Sequence, residues 1–216
     1  MGYDLYVITD TVIGGGRSHE EIARLAIEGG ADVVQLRDKA MSAGDLVTTG
    51  QRIADIAIKS GTTFIVNDRL DVALACGADG VHLGRDDMTV AAARRIAPAG
   101  FLIGVSAVSG SEAQNAVAAG ADYIAASPVF PTPSKTDTPS FCGLAGLREI
   151  RAAVTVPVIA IGGIGLHNIR QVIATGADGV AVISAAVGQP DIKGAVIALR
   201  QAVIGAKSEQ QGCRDH

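Results

Sequence analysis

The sequence predicts one α/β domain, a single (β/α)8 TIM barrel, and two observations support this fold. The tripeptide Gly-Ala-Asp occurs four times, starting at Gly30, Gly77, Gly120 and Gly176, and each copy runs into a short apolar stretch. Such a glycine can end a helix in the left-handed conformation, and the apolar stretch is typical of a buried parallel strand. Strand and helix patterns also alternate in eight units without a change of composition, which favours a closed barrel over the alternative, an open doubly wound sheet.

Strands are predicted where short apolar runs follow turn signals, and helices where apolar residues recur every three or four positions. The predicted strands are 4–8, 32–36, 63–66, 80–83, 102–105, 123–125, 158–161 and 179–183. The predicted helices are 18–28, 43–59, 70–76, 90–97, 110–119, 144–153, 167–175 and 192–204. Ser18 and Glu21 have capping-box spacing at the start of the first helix. Pro157 can open the seventh strand, where its missing N–H costs little.

The predicted catalytic domain spans 1–206, and the polar segment 207–216 is predicted to be a flexible tail. No stretch is long and apolar enough to cross a bilayer, and the start of the chain lacks the pattern of a signal peptide. The three cysteines, Cys76, Cys142 and Cys213, include no CxxC pair. We therefore expect neither a disulfide framework nor a zinc site, and we predict a cytoplasmic location.

The composition limits both the core and the ligands. Hydrophobic residues make up 48% of the chain but aromatic residues only 3%, so the core must consist of Val, Ile, Leu and Ala, as parallel barrels prefer. The net charge of -4 argues against a nucleic-acid-binding protein. A small anionic ligand is compatible with it, because Arg37, Lys39 and Lys135 can create a local positive field at the predicted mouth.

Two carboxylates, Asp68 and Asp87, follow the neighbouring third and fourth predicted strands. Side chains at adjacent strand ends point into one barrel mouth, so this pair can share a divalent cation. Mg²⁺ commonly takes one or two protein carboxylates, with waters and substrate phosphates completing its shell. The alternative is that each Asp caps the helix after it, and the sequence leaves both interpretations open.

Gln35, Arg37 and Lys39 alternate at the end of the second predicted strand, so they share one face. Burying Arg and Lys against helices would be expensive, which favours a face turned into the barrel mouth. There Arg can bind a phosphate as a fork of donors and Lys as a point charge. The alternative is a solvated Lys39 paired with Asp38.

The loop 127–135 follows the sixth predicted strand and contains three prolines. Long loops inside a compact domain are usually functional or disordered, and prolines favour order. With the donors Thr132, Ser134 and Lys135, the loop is predicted to be a substrate-binding flap. A plain mobile connection is the alternative.

A second phosphate subsite is predicted at the ends of the last two strands. Gly162 and Gly163 close the seventh strand, and Ser184 follows the eighth. In barrels these loops often bind a phosphate through backbone N–H groups, which glycines let approach closely. Two glycines alone are a weak signal, and their position at a barrel mouth strengthens it.

The remaining candidates are a serine and the histidines. Ser106 follows the fifth strand and can either donate to a phosphate or cap a helix. His82 lies within the fourth strand, where a core position is the alternative to a role in the mouth. His19, His167 and His216 are predicted to be peripheral. No strong general base or nucleophile stands out, so the residues predict transfer or rearrangement of phosphorylated small molecules, in which a neutralised leaving group departs unaided.

Several of these segments resemble the thiamine phosphate synthase (thiamine-phosphate pyrophosphorylase) family. The matching segments are 34–39, 66–69, 77–87, 130–135 and 162–164, together with Asp10, and the likeness runs from about 5 to 186. The resemblance implies a transferase that condenses 4-amino-2-methyl-5-hydroxymethylpyrimidine diphosphate with hydroxyethylthiazole phosphate, giving thiamine phosphate and diphosphate. It also implies a Mg²⁺-assisted, dissociative loss of diphosphate, after which the thiazole nitrogen captures the pyrimidine-methyl cation.

The resemblance also implies a role for each site residue. Magnesium would be held by Asp68 and Asp87. The pyrimidine diphosphate would be bound by Gln35, Arg37, Lys39 and Asn67, and its diphosphate by Ser106. The flap would contribute Thr132, Ser134 and Lys135, of which Lys135 reaches the diphosphate. The thiazole phosphate would be held by Gly163, Ile183 and Ser184. The residues expected to act in catalysis are Arg37, Lys39, Ser106 and Lys135.

Two other functions remain open. A sister thiazole tautomerase with the same fold would not need the full diphosphate and magnesium set. A non-catalytic protein that binds a phosphorylated ligand would be stabilised by that ligand without forming product. The expected partners are phosphorylated pyrimidine and thiazole substrates, with no nucleic acid and no membrane, and a homo-oligomer is compatible with the sequence.

Overall fold

The structure, a computed structural model, describes residues 2–132 and 141–212. Its strands are Leu5–Ile8 (β1), Val33–Leu36 (β2), Thr63–Asn67 (β3), Gly80–Leu83 (β4), Leu102–Ala107 (β5), Tyr123–Ala126 (β6), Val158–Ile161 (β7) and Gly179–Val182 (β8). Its helices in these ranges are His19–Glu28 (α1), Ala43–Ser60 (α2), Leu70–Cys76 (α3), Val90–Ile96 (α4), Gly110–Ala118 (α5), Gly143–Ala153 (α6), Ile169–Ile173 (α7), Ser184–Val187 (α8) and Ile192–Gly212 (α9). None of the helices in the described ranges combines the length and the apolarity that a membrane span requires.

The strands pair in parallel in the order of the chain, and β8 pairs with β1 to close the barrel. The closing register places Tyr6 opposite Ala181. This closure confirms the predicted (β/α)8 barrel, and the open doubly wound sheet is wrong. Because all strands run the same way, their carboxyl ends open on one rim, where barrel active sites are built.

The core has one layer inside the barrel and another between the strands and the helices. The outer layer is built mainly from Val, Ile, Leu and Ala, as predicted. The interior contains Tyr6, Ile8, Val33, Ile65, Tyr123, Ile159 and Ala181. Gly104 makes room for one of its two tyrosine rings, because a Cβ at this position would lie 1.9 Å from Cζ of Tyr123.

The Gly-Ala-Asp repeats join neighbouring strands at the end of the barrel opposite that rim. All four glycines have a positive φ, as predicted: 91° at Gly30, 73° at Gly77, 104° at Gly120 and 93° at Gly176. Each Asp carboxylate accepts a backbone N–H near the start of the preceding strand. The pairs are Asp32 with Leu5 at 2.9 Å, Asp79 with Phe64 at 2.8 Å, Asp122 with Ile103 at 2.7 Å and Asp178 with Val158 at 2.8 Å. The repeat therefore stabilises the barrel by linking neighbouring strands, and it lies at the end away from the site.

The helix α9 continues to Gly212, past the predicted start of the flexible tail at Lys207. The Lys207 ammonium donates to the carboxylate of Asp4 and, at 2.5 Å, to the carbonyl oxygen of Asp178. These tertiary hydrogen bonds hold a polar stretch in a helix that its own sequence pattern does not predict. The remainder of the predicted tail, 213–216, lies outside the described residues.

Two further helices differ from the prediction. α7 is shorter than the predicted 167–175 because Asn168 folds back onto the preceding loop. Its side chain accepts the N–H of Gly165 and donates to the carbonyl oxygen of Gly163, both at 2.9 Å. α8 was not predicted, since four residues are too few to show a helical period.

Candidate active site

Two contiguous cavities open at the carboxyl ends of the strands. The first, here called the apolar cavity, has an empty volume of about 730 Å³, and its walls include Ile8, Ile159, Ile161, Ile164 and Ile183. The second, here called the polar cavity, is lined by charged and polar side chains that include Lys39, Asp68, Arg85, Asp87 and Ser106. Arg37, Asn67 and His82 line both cavities and form the boundary between them.

The predicted site residues within the described ranges all line these two cavities. The apolar cavity contains Gln35, Thr132, Gly163, Ile183 and Ser184, the polar cavity contains Lys39, Asp68, Asp87 and Ser106, and the boundary contains Arg37 and Asn67. Ser134 and Lys135 lie outside the described residues. The structure therefore brings residues at or after the ends of seven strands, β2 to β8, into one site, although they are far apart in the sequence.

Asp68 and Asp87 do not cap the helices that follow them, so the capping interpretation is wrong. Asp68 directly follows β3 with a φ of 63°, and its backbone N–H donates to the carbonyl oxygen of His82 at 2.8 Å. The carboxylate of Asp87 turns back to accept the N–H of Gly84 at 2.6 Å. The N-cap of α4 is Thr89. Both carboxylates are thereby left at the polar cavity.

The two carboxylates lie against each other. Burial, then the hydrogen bond to Asp87 and its negative charge, raises the pKa of Asp68 to about 6, against the opposing charges of Lys39 and Arg37. Two ionised carboxylates in contact repel each other, and a divalent cation between them would remove that repulsion. One or two carboxylates are the protein ligands that Mg²⁺ commonly takes, so this donor set fits the predicted magnesium.

The face formed by Gln35, Arg37 and Lys39 turns into the barrel mouth, as predicted. The Arg37 side chain is only 18% exposed, and its guanidinium lies 3.8 Å from the carboxylate of Asp10. Asp38 does not hold Lys39 in solvent, because its carboxylate is engaged by His19 and by loop amides. Two cations therefore face the carboxylate pair, and a bound anion can contact both.

The glycines after β7 are required by packing as well as by their conformation. Gly163 has a φ of 64°, and a Cβ there would lie 2.8 Å from Cβ of Phe130 and 2.9 Å from the carbonyl oxygen of Pro131. The backbone of the loop after β6 is also bonded to this segment, since the N–H of Phe130 donates to the carbonyl oxygen of Gly162 at 3.1 Å. The two loops thus form one wall of the apolar cavity.

A chain of hydrogen bonds crosses the floor of both cavities. Nε2 of Gln35 lies 2.6 Å from Oη of Tyr6, which lies 3.1 Å from Oη of Tyr123. Oη of Tyr123 lies 3.1 Å from Nδ1 of His82, and Nε2 of His82 lies 3.0 Å from Oγ of Ser106. Ser106 belongs to β5 and does not cap α5, so its hydroxyl faces the polar cavity.

Comparison with known families agrees with this geometry. The model of a family described as thiamine monophosphate synthase matches residues 5–186. The chain belongs to the thiamine monophosphate synthase family. The match covers the range over which the sequence motifs indicated the resemblance, so that resemblance is confirmed.

Individual relatives within the family are similar over nearly their full length. The chain is 61% identical to the thiamine-phosphate synthase of Methanoregula boonei, covering 100% of both chains. It is 58% identical to that of Methanoculleus marisnigri, covering 97% of this chain and 99% of the relative. The solved thiamine phosphate pyrophosphorylase of Pyrococcus furiosus is 42% identical with a TM-score of 0.87, covering 94% of this chain and 96% of that one. The predicted enzyme class is confirmed, and the thiazole tautomerase finds no support in these names.

In this member of the thiamine monophosphate synthase family, the prediction that His19 is peripheral is wrong. His19 is 2% exposed, with Nδ1 2.7 Å from Oγ1 of Thr9 and Nε2 3.2 Å from the carboxylate of Asp38. Burial raises the pKa of Asp38, but hydrogen bonds from Ala40, His19 and Met41 lower it overall. His19 therefore holds the loop that carries Arg37 and Lys39, and its place at the start of a helix gave no sign of this.

Tyr6, Tyr123 and Asn168 also support the site of this family member without having been predicted. The tyrosines read as ordinary strand residues, and Asn168 as part of a helix. Arg85, whose orientation the sequence leaves open, lies on the rim of the polar cavity and pairs with Glu112 at 3.3 Å. These partners come from different strands and loops, so no local pattern indicates them.

Proposed function

We propose that this chain is a thiamine phosphate synthase that condenses 4-amino-2-methyl-5-hydroxymethylpyrimidine diphosphate with hydroxyethylthiazole phosphate. The observation that supports this most strongly is the pair of contiguous cavities. One combines two carboxylates with Arg37 and Lys39, which suits a diphosphate with its metal ion. The other is walled by isoleucines and contains the amide of Gln35, which suits an aromatic ring with few polar groups.

The pyrimidine diphosphate would lie across the boundary between the cavities. Its ring would occupy the apolar cavity, where the Gln35 amide offers a hydrogen-bond partner, and Asn67 would contact it from the boundary. Its diphosphate would enter the polar cavity toward Arg37, Lys39 and Ser106. This placement puts the bond between the methylene carbon and the diphosphate oxygen at the boundary.

The thiazole phosphate would bind at the other end of the apolar cavity. Gly163, Ile183 and Ser184 line this end. Backbone N–H groups after the last two strands of a barrel often hold a phosphate, and a serine hydroxyl adds a donor. The flap residues Thr132, Ser134 and Lys135 keep their predicted roles in this proposal, with Lys135 reaching the diphosphate.

The proposed chemistry needs no general base. The carbon–oxygen bond breaks with its electron pair leaving on the diphosphate, and the lone pair of the thiazole nitrogen forms the new bond to the methylene carbon. Arg37, Lys39 and Ser106 would stabilise the charge that develops on the leaving oxygen. Magnesium held by Asp68 and Asp87 would neutralise part of that charge when bound.

The test is to incubate the purified chain with both precursors, first with Mg²⁺ and then with a chelator, and to detect thiamine phosphate by mass. Product that depends on Mg²⁺ would support the synthase and its metal together. No product, with a melting temperature that the precursors still raise, would favour the protein that binds a phosphorylated ligand without catalysis. The cytoplasmic location and the homo-oligomer stay predictions.

A further inference from the structure

We propose that His82 is a positioning residue that acts through Ser106. In this proposal, the hydrogen-bond chain that starts at Gln35 holds His82 in the tautomer with its proton on Nε2. The Nε2–H of His82 donates to Oγ of Ser106. The hydroxyl proton of Ser106 is then directed to the anion in the polar cavity. The identification of this anion as the leaving diphosphate rests on the proposed function, whereas the tautomer does not.

The buried residues determine which group donates in each hydrogen bond between Gln35 and His82. The Gln35 amide nitrogen can only donate, so Oη of Tyr6 accepts at 2.6 Å. Tyr6 and Tyr123 are 2% and 1% exposed, and a buried hydroxyl proton without an acceptor is costly. The Tyr6 proton therefore goes to Oη of Tyr123, and the Tyr123 proton goes to Nδ1 of His82.

The state of His82 follows in turn. A neutral imidazole carries a proton on one nitrogen and accepts on the other. Because Nδ1 accepts from Tyr123, Nε2 carries the proton and donates to Oγ of Ser106 at 3.0 Å. A hydroxyl that accepts from a histidine can donate its own proton to a different acceptor, and in this proposal that acceptor is the bound anion.

The alternative is that donor and acceptor are exchanged in every hydrogen bond of this chain. If Tyr6 donated to the amide oxygen of Gln35, each later member would also reverse, and Nδ1 of His82 would carry the proton. Ser106 would then spend its proton on Nε2 and would offer a bound anion only its lone pairs, which repel it. The two polarities thus make opposite predictions for the tautomer and for the role of Ser106.

The hydrogen-bond chain also explains why His82 lies at the boundary between the two cavities. Gln35 lines the apolar cavity, Ser106 lines the polar cavity, and His82 lines both. The rings of Tyr123 and His82 are stacked at a tilt, with centroids 5.7 Å apart, which restrains the imidazole further. His82 is therefore held from two sides, as a residue that positions another must be.

The first test is NMR of the imidazole nitrogens in the wild-type protein near neutral pH. His82 is assigned by comparison with His82→Asn, because the chain has four histidines. The proposal expects a protonated Nε2 and an unprotonated Nδ1. A proton on Nδ1 would overturn it, whether or not the protein is active.

The second test is a double-mutant cycle on product formation. We expect Ser106→Ala to lower kcat about a hundredfold, as the loss of one charge-stabilising donor does. His82→Asn should lower kcat by roughly ten- to a hundredfold through misplacement of Ser106, with KM for both precursors little changed. In the Ser106→Ala background, His82→Asn should change kcat by less than about twofold. Equal effects in both backgrounds would overturn the positioning role.

Two variants keep the test valid if His82→Asn does not fold. Tyr123→Phe keeps the ring but removes the donor to Nδ1, so the Nε2 tautomer should lose its dominance and kcat should fall. Tyr3→Phe is the matched control. The Tyr3 ring packs against Tyr123 with centroids 5.6 Å apart, but its hydroxyl is not a member of the hydrogen-bond chain from Gln35 to Ser106. An unchanged tautomer in Tyr123→Phe would overturn the proposal. Wild-type protein that forms no product would instead count against the proposed function.

Discussion

The carboxylates of Asp68 and Asp87 face the same cavity at the ends of two neighbouring strands, β3 and β4, and burial together with Asp87 raises the pKa of Asp68. Two acids held together in a partly buried cavity destabilise the folded chain when both are ionised. The same arrangement suits a divalent cation, so we propose that the stability lost there would be regained when the cation binds. This relationship can be tested without a substrate.

We predict that Asp68→Asn raises the melting temperature near neutral pH in the presence of a chelator, because an amide places no charge in a partly buried site and is not repelled by Asp87. Asn also tolerates the φ of 63° at this position. Folding raises the pKa of Asp68 from its ordinary 3.8 to about 6, so the wild type loses stability as pH rises through this interval. The advantage of the variant in calorimetry should vanish below about pH 4 and be complete above about pH 6. A variant that melts below the wild type near neutral pH would contradict this.

Added magnesium should reverse the order of the melting temperatures, so that the wild type melts above Asp68→Asn. The wild type should gain stability with Mg²⁺ concentration, whereas Asp68→Asn and Asp87→Asn should gain much less, because each lacks one carboxylate. Asn at position 87 can still accept the N–H of Gly84, which Asp87 accepts at 2.6 Å, so the loop should stay intact. Thermal shift against Mg²⁺ concentration is the measurement, and turnover should fall by orders of magnitude in both variants. Equal magnesium stabilisation in all three proteins would remove the metal assignment.

We predict that His19→Leu raises KM for the pyrimidine diphosphate more than KM for the thiazole phosphate. The imidazole holds Thr9 and Asp38, and with them the loop of Arg37 and Lys39. The buried Thr9 hydroxyl would keep only the N–H of Arg37 as a partner, at 3.3 Å, and losing its partner at His19 should cost about 1 kcal/mol of stability. His167→Leu, on an exposed histidine, is the control for loss of an imidazole. Steady-state kinetics with each precursor varied in turn provides the comparison, and equal increases in both KM values would argue against a local role.

We predict that Gly163→Ala destabilises the chain by about 1–3 kcal/mol beyond the cost of its positive φ, because the new Cβ overlaps the loop after β6. Gly61→Ala is the matched control, since Gly61 has a φ of 71° and no atom within 4 Å of the added Cβ. The difference between the two variants in chemical denaturation therefore isolates the clash. Equal losses would mean that Phe130 moves aside freely.

The same substitution should weaken binding of the thiazole phosphate, since Gly163 and Ser184 line one end of the apolar cavity. Ser184→Ala should raise KM for that substrate and leave kcat nearly unchanged, because it removes a donor and adds no bulk. An unchanged KM in Ser184→Ala would move the phosphate to another part of the site.

Much of the site was predictable because the local sequence shows where each strand of a parallel barrel begins and ends. The Gly-Ala-Asp repeats indicate where strands begin, and polar residues after apolar runs indicate where they finish. Asp68, Asp87 and the alternating Gln35, Arg37 and Lys39 could thus be assigned to one mouth before any contact was known. Their local spacing contains this information, because alternation in a strand sets the direction of each side chain.

The sequence alone determined the barrel, the rim that carries the site and the residue types that meet there. Only the tertiary structure decided that His19 is buried behind the Arg37 loop and that His82 joins Tyr123 to Ser106. It also decided that α9 continues past Lys207. The physical reason is that a hydrogen bond between residues distant in the chain depends on burial and geometry that closure of the barrel creates, whereas periodicity is a property of neighbours.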